Sequence, residues 1–478
     1  MLMKINSAIQ VGELTYIACR SYKSTAGISG LYFPYICREH TNFMKQLLFT
    51  LALLLAISAC TANSSSASAG KDSTVADNSA SPYFPPVMQQ GVVGSCDWFA
   101  VAYYQMTYMR NRMLDKSYDP KETFSPKFGF TLINNGKDFP WNMWFIDVYE
   151  LLKKHGNPFL PDCPYDAATG THYREWPVDS AIWRRALYNR IEGYESLDFD
   201  LDKVRKLVRE GEVLVIQFNP ARVNYMQAKD NPVTRLDDAA IGDHVLSAGV
   251  EGPDHTVCMV GYNDHIWIDR NGNAKPEQDE LGAFKIAESM SDGFVNDGYR
   301  WMSYAALADT TAGILFQRKL WRVFLRDSYQ PKVIAQVCVE HAERGKLKMQ
   351  LGRSRQATSA SALESSRVFD PYALGFSAGA SGKSLIEGAD FSFNGEEGMH
   401  EGCFTFDLTD LQSATEEPET FWFLRLNNLS EQGGRVTVFR IVDMRNGSVK
   451  ECKTLPAKLI QGGNVLFTAP ERESGKLP

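Results

Sequence analysis

Apolar residues recur at helical spacing over 97–114, where Trp98, Val101, Ala102, Met106, Met109 and Met113 share one side. A second helix is predicted from Phe124-Ser125-Pro126-Lys127-Phe128, with Ser125 as its N-cap and Pro126 at the first helical position. Residues 144–155 form a third amphipathic helix closed by Gly156, and 201–210 a fourth. The apolar run 213–218 reads as a buried strand, and further strands are predicted over 256–262, 283–287 and 299–304. From about Ile314 onward, period-two segments follow at 320–325, 333–340, 346–351, 391–393, 403–408, 421–426 and 435–442. Asn394-Gly395, Asn427-Asn428 and Gly433-Gly434 mark turns between them. Helices first and strands later predict an α+β domain followed by an all-β sandwich of the jelly-roll or immunoglobulin-like kind.

The first eighty residues read differently. Met44-Lys45-Gln46 opens a short charged region, 47–57 is apolar, and Ile57-Ser58-Ala59-Cys60 ends it with small residues before a cysteine. The run is too short for a comfortable membrane span and fits a secretory signal. Its ending resembles a bacterial lipoprotein lipobox. That resemblance implies lipidation of Cys60 and a place in the bacterial cell envelope, held to the outer membrane or periplasmic face. On this reading 44–60 is the signal peptide, translation starts at Met44, and 1–43 is a mis-assigned start or a disordered extension. Residues 61–81, rich in Ser, Ala, Asn and Asp, are expected to form a flexible tether.

Composition sharpens this picture only in part. A chain of 478 residues favours two domains, and 44% hydrophobic with 12% aromatic residues is ample for packed cores. The formal net charge of −7 argues against nucleic acid as the main partner. Cys163, Cys258, Cys338, Cys403 and Cys452 lack metal-ligand spacing; Cys403 with Cys452 is one candidate disulfide, and connectivity stays open.

The candidate chemistry lies in Gln90-Gly91-Val92-Val93-Gly94-Ser95-Cys96-Asp97-Trp98. Cys96 follows a Gly-Ser turn and opens a helix, whose positive end favours thiolate. Gln90 offers an amide donor to an oxyanion forming beside the sulfur. A cysteine at a helix start is often purely structural, so a second group is needed. His255 opens the strand His255-Thr256-Val257-Cys258-Met259-Val260-Gly261-Tyr262, and an imidazole there could pair with the thiolate and protonate a leaving amine. His244, in Gly242-Asp243-His244, is the fallback base.

Together these segments resemble the papain-like cysteine peptidase family. The Gln-Gly-x-x-Gly-Ser-Cys segment, the His255 strand, the Phe124-Ser125-Pro126 helix and the Cys163-Pro164-Tyr165 turn carry the resemblance over 82–313. It implies two lobes, a helical one with Cys96 and a β-barrel one with His255, and a peptide or protein substrate. No cofactor is required, and the protein is expected to be a monomer. Four positions depart from the family. Glu288, in Glu288-Ser289-Met290-Ser291, stands where the family's Asn orients the imidazole, and Met290 where a shielding Trp belongs. Asp97 replaces a Trp and puts negative charge beside the thiol, and Val93 replaces a loop-bracing cysteine. The competing reading is an inert papain-like surface module that binds peptide or glycan. A further one uses the 314–470 sandwich as a glycan-binding or adhesion module, with Trp422 and Phe423 as a platform.

One insertion remains. Asp269, Asn271, Asn273, Glu277 and Glu280 repeat the oxygen spacing of an EF-hand calcium loop, with Ala274 where that loop needs glycine. A structural calcium and a solvated polar hairpin are both expected from this pattern.

Overall fold

The computed structural model describes residues 74–137, 145–166, 173–290, 297–311, 313–354, 390–411 and 421–468. The signal-peptide and lipidation expectations at Met44 and Cys60 lie outside them, as do Trp144 and Ser291. No helix of the described residues is long and apolar enough to cross a membrane. The fold is mixed α+β with several sheets.

The first sheet contains β1 (Val75–Asp77), β2 (Gly193–Asp198), β3 (Leu214–Phe218), β4 (Val223–Gln227), β5 (His244–Gly249), β6 (His255–Trp267), β7 (Leu281–Ala287), β8 (Tyr299–Ser303) and β9 (Lys319–Phe324). Its order is β2-β9-β3-β6-β7-β8-β5-β4, with β1 added on β6; all pairs are antiparallel except β5 with β8. Residues 96–113 form helix α1, which is α-helical over Cys96–Trp98, π-helical over Phe99–Met106 and α-helical again over Thr107–Met113. The other helices are α2 (Lys127–Ile133), α3 (Phe145–His155), α4 (Ser180–Leu187), α5 (Leu201–Arg209) and α6 (Tyr304–Ala308).

Strand β6 explains the layering. It reads almost continuously apolar because both of its faces are buried. Cys258 and Val260 join the core that contains Trp98, Phe99 and Val101 of α1. Val257 and Met259 face the other way, into a core with Val204 and Val208 of α5 and Leu307 of α6. Gln105 is fully buried in α1, and both ends of its amide are hydrogen-bonded. Its Nε2 donates to the carbonyls of Val213 (2.8 Å) and Trp321 (2.9 Å), and its Oε1 accepts from the Tyr149 hydroxyl (2.9 Å). One side chain thus fixes α1 against β3, β9 and α3.

Two glycines are demanded by close approach. At Gly156 φ is +66°, and a Cβ would come within 2.0 Å of the Ala186 carbonyl, so the C-cap of α3 also seats α4. At Gly261 a Cβ would lie 2.6 Å from the Ala76 carbonyl, because β1 crosses β6 there. That crossing corrects the expected tether. Its last residues, from Val75 on, are a paired strand and a short helical turn, and Asn78 Nδ2 donates to the carbonyls of Val208 (2.9 Å) and Glu212 (3.0 Å).

The remaining strands are β10 (Val333–His341), β11 (Leu347–Ser354), β12 (His400–Asp407), β13 (Phe421–Asn428), β14 (Arg435–Asp443), β15 (Ser448–Glu451), β16 (Ala457–Lys458) and β17 (Asn464–Phe467). They form one sheet of order β12-β10-β14-β15, with β16 on β14, and a second of order β11-β13-β17. Four expectations change here. Residues 319–324 belong to the first sheet as β9, between β2 and β3, and not to the strands that follow them. Phe391–393 is not a strand. Cys403 is bonded to Cys338, directly opposite it on β10, whereas Cys452 is a free thiol near Thr454 Oγ1 (3.2 Å). Trp422 and Phe423 are buried, which removes them as an exposed platform.

The C-terminal sheet is fused to the helical region. Its edge strand β12 donates from Cys403 N to the Val178 carbonyl (2.8 Å), and Trp176 N donates to Phe393 O (2.9 Å). Trp183 of α4 packs edge-on against Phe404 and Phe406, and the buried Arg190 guanidinium meets Asp407 at 2.6 Å. His155 lies in the same interface, edge-on to Trp183 and Phe406, with neither ring nitrogen hydrogen-bonded. Burial, with Lys154 and Arg190 nearby, pushes its pKa down from 6.5 to about 3. A histidine buried neutral contributes fully above pH 6.5, and that contribution is lost as pH falls toward 3, because the unfolded chain then binds the extra proton. His155→Leu is therefore expected to flatten the acid side of the stability profile, by about 2 kcal/mol at pH 5, read from urea melts at pH 5 and 7.5.

Candidate active site

Cys96, His255 and Glu288 come from three separate elements and meet in the interior. Ser95 N-caps α1, and its carbonyl accepts from the N–H groups of Trp98 (3.0 Å) and Phe99 (3.1 Å). Cys96 thus occupies the first position of α1, among amides that have no acceptor within the helix. His255 is the first residue of β6, opposite Phe218 of β3, whose ring it meets at 5.5 Å. Strand and helix are joined beside the site: the Thr256 hydroxyl donates to Asp97 Oδ1, and Cys258 Sγ donates to the Ala100 carbonyl (3.0 Å). These contacts bring the imidazole close enough to the Cys96 side chain for the sulfur to act on its pKa.

Glu288 follows the last residue of β7. Its N–H donates to Gly298 O (2.9 Å) and its carbonyl accepts from the Tyr104 hydroxyl (2.7 Å), so its backbone is pinned on both sides. The side chain completes the row, with Glu288 Oε2 2.6 Å from His255 Nε2. All three side chains are buried. Burial alone would lower the pKa of His255; the Glu288 charge and the Cys96 contact outweigh it and push it up to about 10. Burial likewise opposes the Glu288 charge, and His255 and Arg300 override it and hold the carboxyl below its usual range. The site therefore favours an imidazolium flanked by a carboxylate and a sulfur.

The Glu288 oxygens are not equivalent. Oε1 accepts no hydrogen bond and faces Arg300 Nε of β8 at 3.4 Å, while Arg300 Nη1 donates to the Tyr225 hydroxyl of β4 (2.6 Å). Arg300 is 8% exposed. Sequence reading missed it. The signal was a charged residue, paired in register with Ile286, in the interior of a short, largely buried strand.

Asp97 is held by the Thr256 hydroxyl of β6. Burial pushes its carboxyl up to about 6, partly offset by the Thr256 hydrogen bond and the His255 charge. Gln90 is buried against the same loop. Its Nε2 donates to Val93 O (2.8 Å) and its Oε1 accepts from the Ser289 hydroxyl (2.5 Å). An amide NH2 has two hydrogens, so one remains for a second acceptor. Tyr165 braces this loop. The Tyr165 hydroxyl donates to Gln90 O (2.5 Å) and shares a hydrogen bond with Ser95 Oγ (2.8 Å). His244, the fallback base, lies on β5 with its ring 6.1 Å from that of Tyr225.

The expected calcium ligands are engaged by protein donors. Asp269 Oδ2 pairs with Lys229 Nζ (2.6 Å), and Glu280 accepts from the Trp267 indole (3.0 Å) and the amides of Arg270 (2.7 Å) and Asn271 (3.2 Å). Glu277 accepts from the side chains of Asn271 (2.9 Å) and Asn273 (3.0 Å). Among the described residues Asp269, Glu277 and Glu280 do not converge on a point that could hold a metal ion. These oxygens bond mostly within the hairpin and to Lys229, while Asp269 Oδ1 is buried without a hydrogen bond. Addition of calcium is expected to leave the melting temperature unchanged, and a calcium-dependent rise in a thermal scan would support the metal reading.

No family model matches the chain, and no curated protein matches it. Among solved structures it is similar to the cysteine protease Amb a 11, a ragweed pollen allergen, in its proform. The identity is 16% over 55% of this chain and 69% of that one, with a TM-score of 0.37. It is also similar to a chain from a structure of the mite allergens Blo t 1 and Der p 1, at 16% identity over 55% of this chain and 74% of that one, with a TM-score of 0.36.

Proposed function

We propose that this protein is a papain-like cysteine peptidase of the bacterial cell envelope, lipid-anchored at Cys60, with a C-terminal β-sandwich. The observation that carries the reading is the buried row Cys96–His255–Glu288, assembled from a helix start, a strand start and a strand end. In this reading Cys96 attacks the scissile carbonyl and the electron pair moves onto its oxygen. The Cys96 backbone N–H and the Gln90 amide receive that oxyanion. The imidazolium then protonates the departing amine, and neutral His255 takes a proton from the water that hydrolyses the thioester. Glu288 acts as the carboxylate member of such triads do, orienting the ring and stabilising its charged form.

The test is hydrolysis of a fluorogenic peptide library by the full chain, with and without an active-site-directed epoxide. Cleavage that the epoxide stops is the expected result. A second reading, an inert papain-like module that binds peptide or glycan, is favoured by one observation: Gln90 spends an amide hydrogen on Val93 rather than holding both toward the sulfur. Under it the library stays intact, and Glu288→Asn combined with Met290→Trp gains turnover.

A further inference from the structure

The family pattern puts a neutral amide beside the imidazole, whereas this chain puts a full negative charge there. A buried carboxylate with only a histidine for company would bind its proton too tightly to let the ring act as an acid. The structure holds a second cation against that carboxylate. Glu288 Oε2 is 2.6 Å from His255 Nε2, while Oε1 faces Arg300 Nε at 3.4 Å. Arg300 is fixed in turn by the Tyr225 hydroxyl at 2.6 Å and by its place over the Tyr225 ring, 5.6 Å from the centroid. The charged and titratable groups around Glu288 are Cys96, Asp97 and Tyr104 from α1, His255 from β6, Arg300 from β8 and Tyr225 from β4.

We propose that Arg300 is a positioning residue, which acts through Glu288 by sharing its charge so that a carboxylate can serve where an amide is usual. Arg300 touches no reacting atom. It keeps Glu288 ionised at acidic pH and moderates the pull of Glu288 on the imidazolium, so that His255 can still surrender its proton. The inference rests on the peptidase reading for its purpose, but its geometry stands on the thiol and imidazole alone.

The test reads alkylation of Cys96 by iodoacetamide against pH, which needs no substrate and so separates this proposal from the peptidase reading. A chain that alkylates as expected but cleaves no peptide would overturn the latter only. Removing a buried cation raises neighbouring pKa values, so Arg300→Met is expected to move both limbs of the alkylation profile upward by on the order of one pH unit. Arg300→Lys should restore most of the position. Tyr225→Phe keeps the charge but removes the hydroxyl that fixes Arg300, so it is expected to shift the profile in the same direction and by less. In a Glu288→Gln background the Arg300→Met shift should shrink by more than half, as a double-mutant cycle requires for residues acting as a unit. A profile that keeps its position in Arg300→Met, however much the rate falls, overturns the proposal. So does an undiminished shift in the Glu288→Gln background. If Arg300→Met does not fold, Arg300→Gln carries the same comparison.

Discussion

Cys96→Ala is expected to abolish covalent labelling by a thiol-reactive epoxide and to lower peptide turnover by more than about 10³-fold. The reason is selective activation. Among the described residues the other free cysteines are Cys163, Cys258 and Cys452, all buried. Burial pushes the Cys163 thiol up to about 11 and that of Cys258 well above its ordinary value, so both remain protonated and inert. Cys96 alone among them adjoins an imidazole held in its charged form by Glu288. Mass mapping of the labelled protein should place the adduct on the peptide containing Cys96. Alanine fills the space of Cβ and leaves the helix start intact, so the melting temperature should not change. Persistent labelling in Cys96→Ala would remove it as the nucleophile.

Deleting residues 331–478 should leave the rest of the chain unable to fold cooperatively. The cut falls after β9, so the first sheet would keep all nine strands. What it loses is the cover over α3 and α4. Trp183 and Trp176 would lose Phe404, and Trp183 also Phe406; uncovering each indole costs on the order of 3–5 kcal/mol by the measure of large-to-small core changes. Arg190 would lose Asp407, and a buried charge stripped of its partner costs about 3–5 kcal/mol more. Together these exceed the total stability of an ordinary domain, about 5–15 kcal/mol, or consume most of it. Far-UV circular dichroism melts of the shortened and full chains give the comparison. A sharp transition in the shortened chain, near that of the full one, would show that the C-terminal sheets are a separable module.

Legibility in the sequence followed the strength of local patterns. The helix carrying Cys96 and the strand carrying His255 were readable because a Gly-Ser turn, a helical apolar stripe and a two-faced apolar run each leave a local trace. Helix α4 was missed although Asp179 caps it by accepting from Ala181 N and Trp183, Ala186 and Leu187 form its buried side. Its eight residues are too short for a persuasive periodicity. Strand β9 alternates like its C-terminal neighbours, and only the register with β2 and β3 assigns it to the first sheet. Alternation reports a pleated surface and not which sheet receives it. Arg300 and Tyr165 were invisible for a related reason. Each acts through a partner 12 or more positions away, Glu288 for Arg300 and Gln90 for Tyr165.

The Cys338–Cys403 bond joins residues that sit face to face in the β10–β12 ladder and are 65 positions apart in the chain. A slip of one residue in that ladder would turn Phe404 and Phe406 away from Trp183 and carry Cys403 to the opposite side from Cys338. The two thiols can therefore be oxidised together only after the strands have found the register that also builds the tryptophan interface. Closing a loop of that length removes on the order of 4 kcal/mol of freedom from the unfolded chain. Oxidation thus acts as a latch on assembly order: it seals a correct pairing already made, and it cannot seal the slipped one.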